Sequence, residues 1–111
     1  MMILYGISNC DTVRKARKYL ESAGHNFQFH DFRKDGLTTK TIQSWLTYTD
    51  YSNLINKRST SWKQLSADEK LAIENKDLDL LTQHPTLIKR PVLQLDQTVL
   101  IGFKLEEYQN L

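Results

Sequence analysis

The sequence predicts an α/β fold: a four-stranded mixed sheet with helices packed on it and an all-helical segment inserted between its halves. Three observations carry this reading. The first third runs strand, helix, strand; the middle shows helical caps and spacing; the last third holds two adjacent strand runs and a closing helix. With 111 residues the chain is long enough for one domain, 1–111, with the helical insertion at about 37–84.

Residues 2–7 are a short apolar run of strand formers, and Met1 is counted with them as the first strand. Val13, Ala16, Leu20 and Ala23 then recur at helical spacing in a segment that ends at Gly24. Phe27-Gln28-Phe29-His30-Asp31-Phe32 alternates aromatic and polar residues and gives a second strand, parallel to the first because a helix connects them. Arg33 to Gly36 reads as a polar turn. Thr38 caps the next helix, with Leu37 placed to staple onto Ile42, and Trp45 and Leu46 extend its apolar face. A short helical turn over residues 51–55 precedes a polar loop, residues 56–62, with no capping pattern of its own. Ser66 and Glu69 form a capping box for a helix to about Asn75, and Asp77 starts another, with Leu78 and Leu81 inward, that stops before Pro85. Residues 91–95 and 98–103 read as an antiparallel hairpin turning at Asp96-Gln97, and residues 104–109 as a last helix.

Composition narrows the function. Hydrophobic residues make up 40% and charged residues 25%, ordinary values for a soluble globular protein, and no apolar run approaches the roughly 20 residues of a membrane span. The first residues lack a basic leader and a small-residue cleavage site. A net charge of +2 is too small to argue for nucleic acid, although Arg14, Lys15, Arg17 and Lys18 crowd the first helix. Glu21 stands four residues after Arg17, spacing that suits an ion pair on a solvated face. His25, His30 and His84 are dispersed and the single cysteine has no cysteine partner, so no metal site is expected. One cysteine also forbids an intramolecular disulfide, which fits a reducing cytoplasm.

That cysteine is the most informative residue. Cys10 falls where the first strand hands over to the basic first helix, where unpaired N–H groups and the helix dipole favour an anion, with Arg14 and Arg17 adding charge one and two turns later. The anion expected is a thiolate. A lone cysteine is more often a small buried hydrophobe, but Asn9 and Asp11 on either side argue for a reactive one.

Residues 5–17 (Tyr5-Gly6-Ile7 through Arg14-Lys15-Ala16-Arg17), residues 56–62 (Asn56-Lys57-Arg58-Ser59-Thr60-Ser61-Trp62) and Leu87-Ile88-Lys89-Arg90-Pro91 resemble, in order, segments of the ArsC/Spx family. The likeness is strongest to its YffB-like branch and extends to Ile101-Gly102-Phe103 and Tyr108. It implies a thioredoxin-like, glutaredoxin-related fold with an all-helical insertion. In arsenate reductases of this family the cysteine opening the first helix attacks arsenate and glutathione resolves the adduct; Cys10 matches that position. Arg14 matches the arginine four residues on, and Arg90 with Pro91 matches the arginine before a cis-proline. The resemblance thus makes Cys10 the nucleophile, Arg14 its thiolate-stabilising neighbour, and Arg90, Arg58, Pro91 and Asn9 an anion- or glutathione-binding set. Arg58 is transferred only as part of its loop, since alignment displaces it by about two positions. The family's last oxyanion arginine is absent, with Gly102 in its place, which weakens arsenate as a substrate. The paired-cysteine switch of the Spx branch is missing, because Val13 stands at the second position. The phosphatase cysteine motif fails likewise, with Ala16 where arginine is required.

Two functions follow. One is a cytoplasmic monothiol oxidoreductase with no bound cofactor and glutathione as co-substrate, its partners a small thiol, a glutaredoxin or a protein disulfide. The other is a non-enzymatic, Spx-like adaptor docking on a protein such as polymerase, with Trp45, Trp62 and Tyr51 as possible anchors.

Overall fold

The computed structural model describes residues 2–111; Met1, counted with the first strand, lies outside the described residues. The described residues gather into two compact units, one made of residues 2–36 with Arg90–Leu111 and the other of Leu37–Lys89.

The first unit contains the thioredoxin-like sheet. β1 (Met2–Gly6), β2 (Phe27–Asp31), β3 (Val92–Gln94) and β4 (Val99–Ile101) lie in the order β2-β1-β3-β4. β1 pairs in parallel with β2, from Met2 opposite Phe27 to Gly6 opposite Asp31, and antiparallel with β3, Tyr5 facing Val92. β3 and β4 form the expected hairpin. α1 (Asp11–Ser22) buries Val13, Ala16 and Leu20. Ala23, expected on that apolar stripe, is instead the exposed C-cap, because the helix ends one residue before it. Ala16 and Leu20 meet Leu4 of β1, Leu93 of β3 and Tyr108 of α8 (Leu105–Gln109) in one core cluster. Arg17 lies over the Phe29 ring, 4.1 Å from its centroid. Among the described residues no ion pair joins Arg17 to Glu21, so the spacing expectation yields to an aromatic contact across the sheet.

β2 stops at Asp31, one residue short of the sequence expectation. The Asp31 carboxylate accepts from the N–H groups of Arg33 (2.8 Å) and Lys34 (3.4 Å), which starts α2 (Phe32–Asp35) where a polar turn was expected. Side-chain capping ends the strand because it offers the backbone other partners.

The second unit is helical: α3 (Thr39–Leu46), α4 (Tyr51–Leu54), α5 (Thr60–Lys63), α6 (Ala67–Glu74), α7 (Leu78–Gln83) and a 3₁₀ turn at Pro85–Leu87. Thr38 caps α3, Asp77 caps α7, and the Ser66–Glu69 capping box at α6 is complete. α5 departs from expectation. The loop of residues 56–62 does contain a cap, since the Ser59 hydroxyl accepts from Trp62 N–H at 3.1 Å and nucleates a single helical turn. Leu81 is buried as expected, whereas Leu78 is only half-buried. α3 packs on α7, α7 on α6, and α5 against the 3₁₀ turn. Ile42, Trp45, Leu54, Ile73, Leu81, Leu87 and Ile88 are fully or almost fully buried.

Candidate functional site

The carboxyl end of β1 is where this sheet gathers its chemistry, as α/β sheets generally do. Gly6 ends the strand with Asp31 of β2 beside it, and one step beyond the Tyr5–Val92 pair, Pro91 lies on its other flank. The chain then makes a turn over Ile7, Ser8, Asn9 and Cys10, closed by Cys10 N–H on Ile7 O at 3.3 Å. Cys10 is the N-cap of α1, with extended backbone, and its carbonyl accepts the first helical bond from Arg14 N–H at 3.0 Å.

Gly6 makes this handover possible. A Cβ there would stand 2.7 Å from Val13 Cγ2, so strand end and helix start approach as closely as they do only because residue 6 has no side chain. Val13, which occupies the second cysteine position of the Spx pattern, is fully buried.

Cys10 is half-buried and makes no side-chain capping hydrogen bond, so its sulfur is not used to satisfy the helix end. Asn9 is exposed in the turn. Arg14 is bonded to the Asp11 carboxylate and also donates to Ser8 O at 3.3 Å. The charge it brings to the turn is therefore shared with Asp11, itself in the first turn of the helix. The i,i+3 spacing of these two residues carried that signal in the sequence.

Asp31, which the sequence pattern did not single out, lies beside the Cys10 turn. Desolvation raises its carboxyl, but bonds from the N–H groups of Arg33 and Lys34 and from the Ser8 hydroxyl and N–H outweigh this and hold it below the ordinary carboxylate value. Ser8 thus ties the Cys10 turn to β2 on one side and to Arg14 on the other. No local pattern announces a contact between residues so far apart.

Arg90 and Pro91 belong to the same unit as Cys10, and their peptide bond is cis. Arg90 is half-buried and Pro91 buried. The Pro91 carbonyl accepts from Gly102 N–H at 2.8 Å, and Gly102 has a φ of 76°. This left-handed backbone explains why glycine, and not arginine, stands there: a side chain would strain it. Arg58 is on the other unit. Its N–H donates to Asn56 Oδ1 at 3.1 Å, and its side chain lines a pocket of about 850 Å³ together with Lys57 and Lys89. The site residues therefore separate into Asn9, Cys10, Arg14, Arg90 and Pro91 on the sheet unit and Arg58 on the helical unit.

A family model described as the ArsC family matches residues 5–111. An uncharacterised protein of Haemophilus influenzae is 42% identical over 110 residues, covering 98% of this chain and 96% of that protein. The global transcriptional regulator Spx 1 of Lactococcus lactis is 32% identical over 109 residues, covering 96% of this chain and 85% of that protein. Among solved structures, a YFFB protein superposes with a TM-score of 0.91 at 32% identity, covering 99% of this chain and 97% of its own. Likeness that runs the length of both partners, over a sheet whose strand ends gather the cysteine turn and the Arg90-Pro91 peptide, settles the kinship: this chain belongs to the ArsC family.

Proposed function

We propose that the protein is a monothiol oxidoreductase that uses Cys10 as nucleophile and glutathione as the resolving thiol. The observation that carries this reading is the placement of the chain's one thiol: half-buried, at the N-cap of α1, above the carboxyl end of β1, with no capping bond to occupy it. Unpaired N–H groups of the first helical turn are donors open to an anionic group held at that place. The Cys10 thiolate attacks the glutathione sulfur of a glutathionylated substrate, forming a Cys10–glutathione disulfide and releasing the substrate thiolate. A second glutathione thiolate attacks the Cys10–glutathione disulfide at the glutathione sulfur, giving glutathione disulfide and regenerating Cys10. With one cysteine, an external thiol must perform this second step.

Arg90, beside the cis peptide, is the group proposed to hold a glutathione carboxylate, with Asn9 and the Pro91 backbone shaping the same edge. Arg14 supports the thiolate, tempered by Asp11. Arg58 is the second anion-binding candidate, on the helical unit. Arsenate is proposed to be a poor substrate, because Gly102 removes one guanidinium from a set that must converge on a tetrahedral oxyanion.

The test is adduct formation and turnover. Mild oxidation with glutathione disulfide should add one glutathionyl group to the wild type and none to Cys10→Ser, and reduction of a glutathionylated peptide should be lost in the same variant. Arg90→Ala should slow glutathione capture by about tenfold, the value of one charge-assisted contact. Absence of the adduct, or efficient arsenate reduction by the wild type, would overturn the reading. The Spx relatives favour a second one, a regulator that binds a protein partner. An unreactive Cys10 together with a stable, isolated complex would support it instead.

A further inference from the structure

We propose that the pocket of the helical unit is a binding site for a small organic anion, its charged head held by Arg58 and Lys89 and its apolar body laid on the Tyr51 ring and Ile55. This goes beyond the thiol chemistry, with which it shares only Arg58, and requires nothing of Cys10. The pocket's volume, about 850 Å³, falls in the range of about 300–1,000 Å³ common to small-molecule sites.

Its charge is unbalanced. Three cations, Lys57, Arg58 and Lys89, line it against one carboxylate, Glu74. Lys57 is paired with that carboxylate at 3.3 Å and also lies 5.4 Å from the Trp62 ring centroid. Among the described residues neither Arg58 nor Lys89 has a carboxylate partner, so two positive charges face the pocket uncompensated. Like charges held together in the absence of a counter-ion repel, and an anion bridging them relieves that repulsion.

The frame that holds them is built from backbone. Asn56 N–H donates to Leu87 O and Lys89 N–H to Leu54 O, both at 2.7 Å, around an antiparallel bridge between Ile55 and Ile88. Residues some thirty positions apart in the chain are thereby locked side by side, Lys89 against Leu54 and Leu87 against Asn56, and Lys89 lines the same pocket as the Lys57-Arg58 turn. Asn56 Oδ1 accepts from Arg58 N–H and fixes the turn from which the guanidinium projects. On the opposite wall the Tyr51 hydroxyl donates to Ile73 O, holding its ring in place. Ile55 and the methylene stems of the cations complete an apolar lining around the charged heads. A bare inorganic anion would leave that lining unused, so the chemistry points to an anionic group attached to an apolar body.

The probe is 1-naphthyl phosphate, titrated into the ¹⁵N-labelled full chain and followed by amide chemical shifts. We expect saturable shifts at residues 51–58, 73–74 and 89, identical in Cys10→Ser. The neutral 1-naphthol and the Arg58→Ala/Lys89→Ala double variant, checked for an unchanged overall spectrum, should each bind at least about tenfold more weakly. Shifts centred on residues 8–14 or 90, loss of binding in Cys10→Ser, equal binding of naphthol, or undiminished binding by the double variant would each overturn the proposal. Failure of glutathione chemistry at Cys10 would leave these results untouched, so the two readings are tested apart.

Discussion

Replacing Gly6 with alanine tests the contact on which the position of Cys10 depends. The new Cβ would stand 2.7 Å from Val13 Cγ2 and 3.1 Å from Cγ1. Carbon atoms settle at about 3.5–4.0 Å, so either α1 moves off the end of β1 by several tenths of an ångström or Val13 leaves its rotamer. Overpacking of this kind costs about 1–3 kcal/mol. Val13→Ala alone removes two methyl groups from a side chain with 0% exposure, at about 1.6 kcal/mol of transfer free energy plus a cavity contribution. In the Gly6→Ala/Val13→Ala double variant the clash is gone and the added methyl enters part of the vacated space. The double variant should therefore be more stable than the sum of the two losses by about 1–2 kcal/mol. Urea unfolding followed by far-ultraviolet circular dichroism, with a common denaturant slope, measures this. The rate of Cys10 alkylation at neutral pH, taken on the same three variants, should change most in Gly6→Ala and return toward wild type in the pair. Additivity within about 0.5 kcal/mol would refute the reasoning, because residues that do not press on one another do not couple.

Gly102→Arg, which restores the family arginine by sequence, should lower stability by about 1–2 kcal/mol through its left-handed backbone alone, since nothing lies within 4 Å of the added Cβ; Gly102→Asn should lose less, and equal melting temperatures for all three would contradict this. Burial, then the charge of Asp77, pushes Tyr51 up to about 12 from 10.0. A raised value means its contribution is whole below pH 10 and is lost as pH rises through about 12, so the stability gap between wild type and Tyr51→Phe should close over that window in alkaline unfolding curves. Asp31 is shifted the other way, below 3.8, so its contribution is present above that pH and lost as pH falls through the lower folded value. Asp31→Asn keeps a capping acceptor but cannot ionise; its stability gap to wild type should be constant near neutrality and shrink in acid, and a gap independent of pH would show that ionisation of Asp31 plays no part.

The sheet and the main caps were legible because their signals are local. Strand, helix and strand at the start, the Thr38 cap, the Ser66–Glu69 box and the final hairpin each rest on residues within a few positions of one another. α2 and α5 were not read because each is a single turn, too short to show helical periodicity, and is started by a residue, Asp31 or Ser59, that fell inside an expected strand or loop. The site divides in the same way. Cys10 at the helix start followed from strand and helix spacing, whereas the Asp31–Ser8 bond and the shared pocket of Lys89 and Arg58 depend on tertiary contacts between distant segments. The Arg90-Pro91 cis peptide was anticipated from the family resemblance together with the place of Pro91 at the start of a strand, since X-Pro bonds are otherwise trans far more often than not.

The N-cap of α1 has a consequence for stability. Most helices begin with a side-chain oxygen that bonds the second or third N–H; this one begins with a sulfur that makes no such bond. Serine in its place would supply the missing acceptor to Thr12 or Val13 N–H, worth about 1 kcal/mol by the usual worth of a cap. Cys10→Ser, the variant made to abolish reactivity, should then be harder to unfold than the natural protein. The chain keeps its helix start weaker than its own backbone would allow, and the shortfall measures how much folding stability is given up to leave one sulfur unengaged.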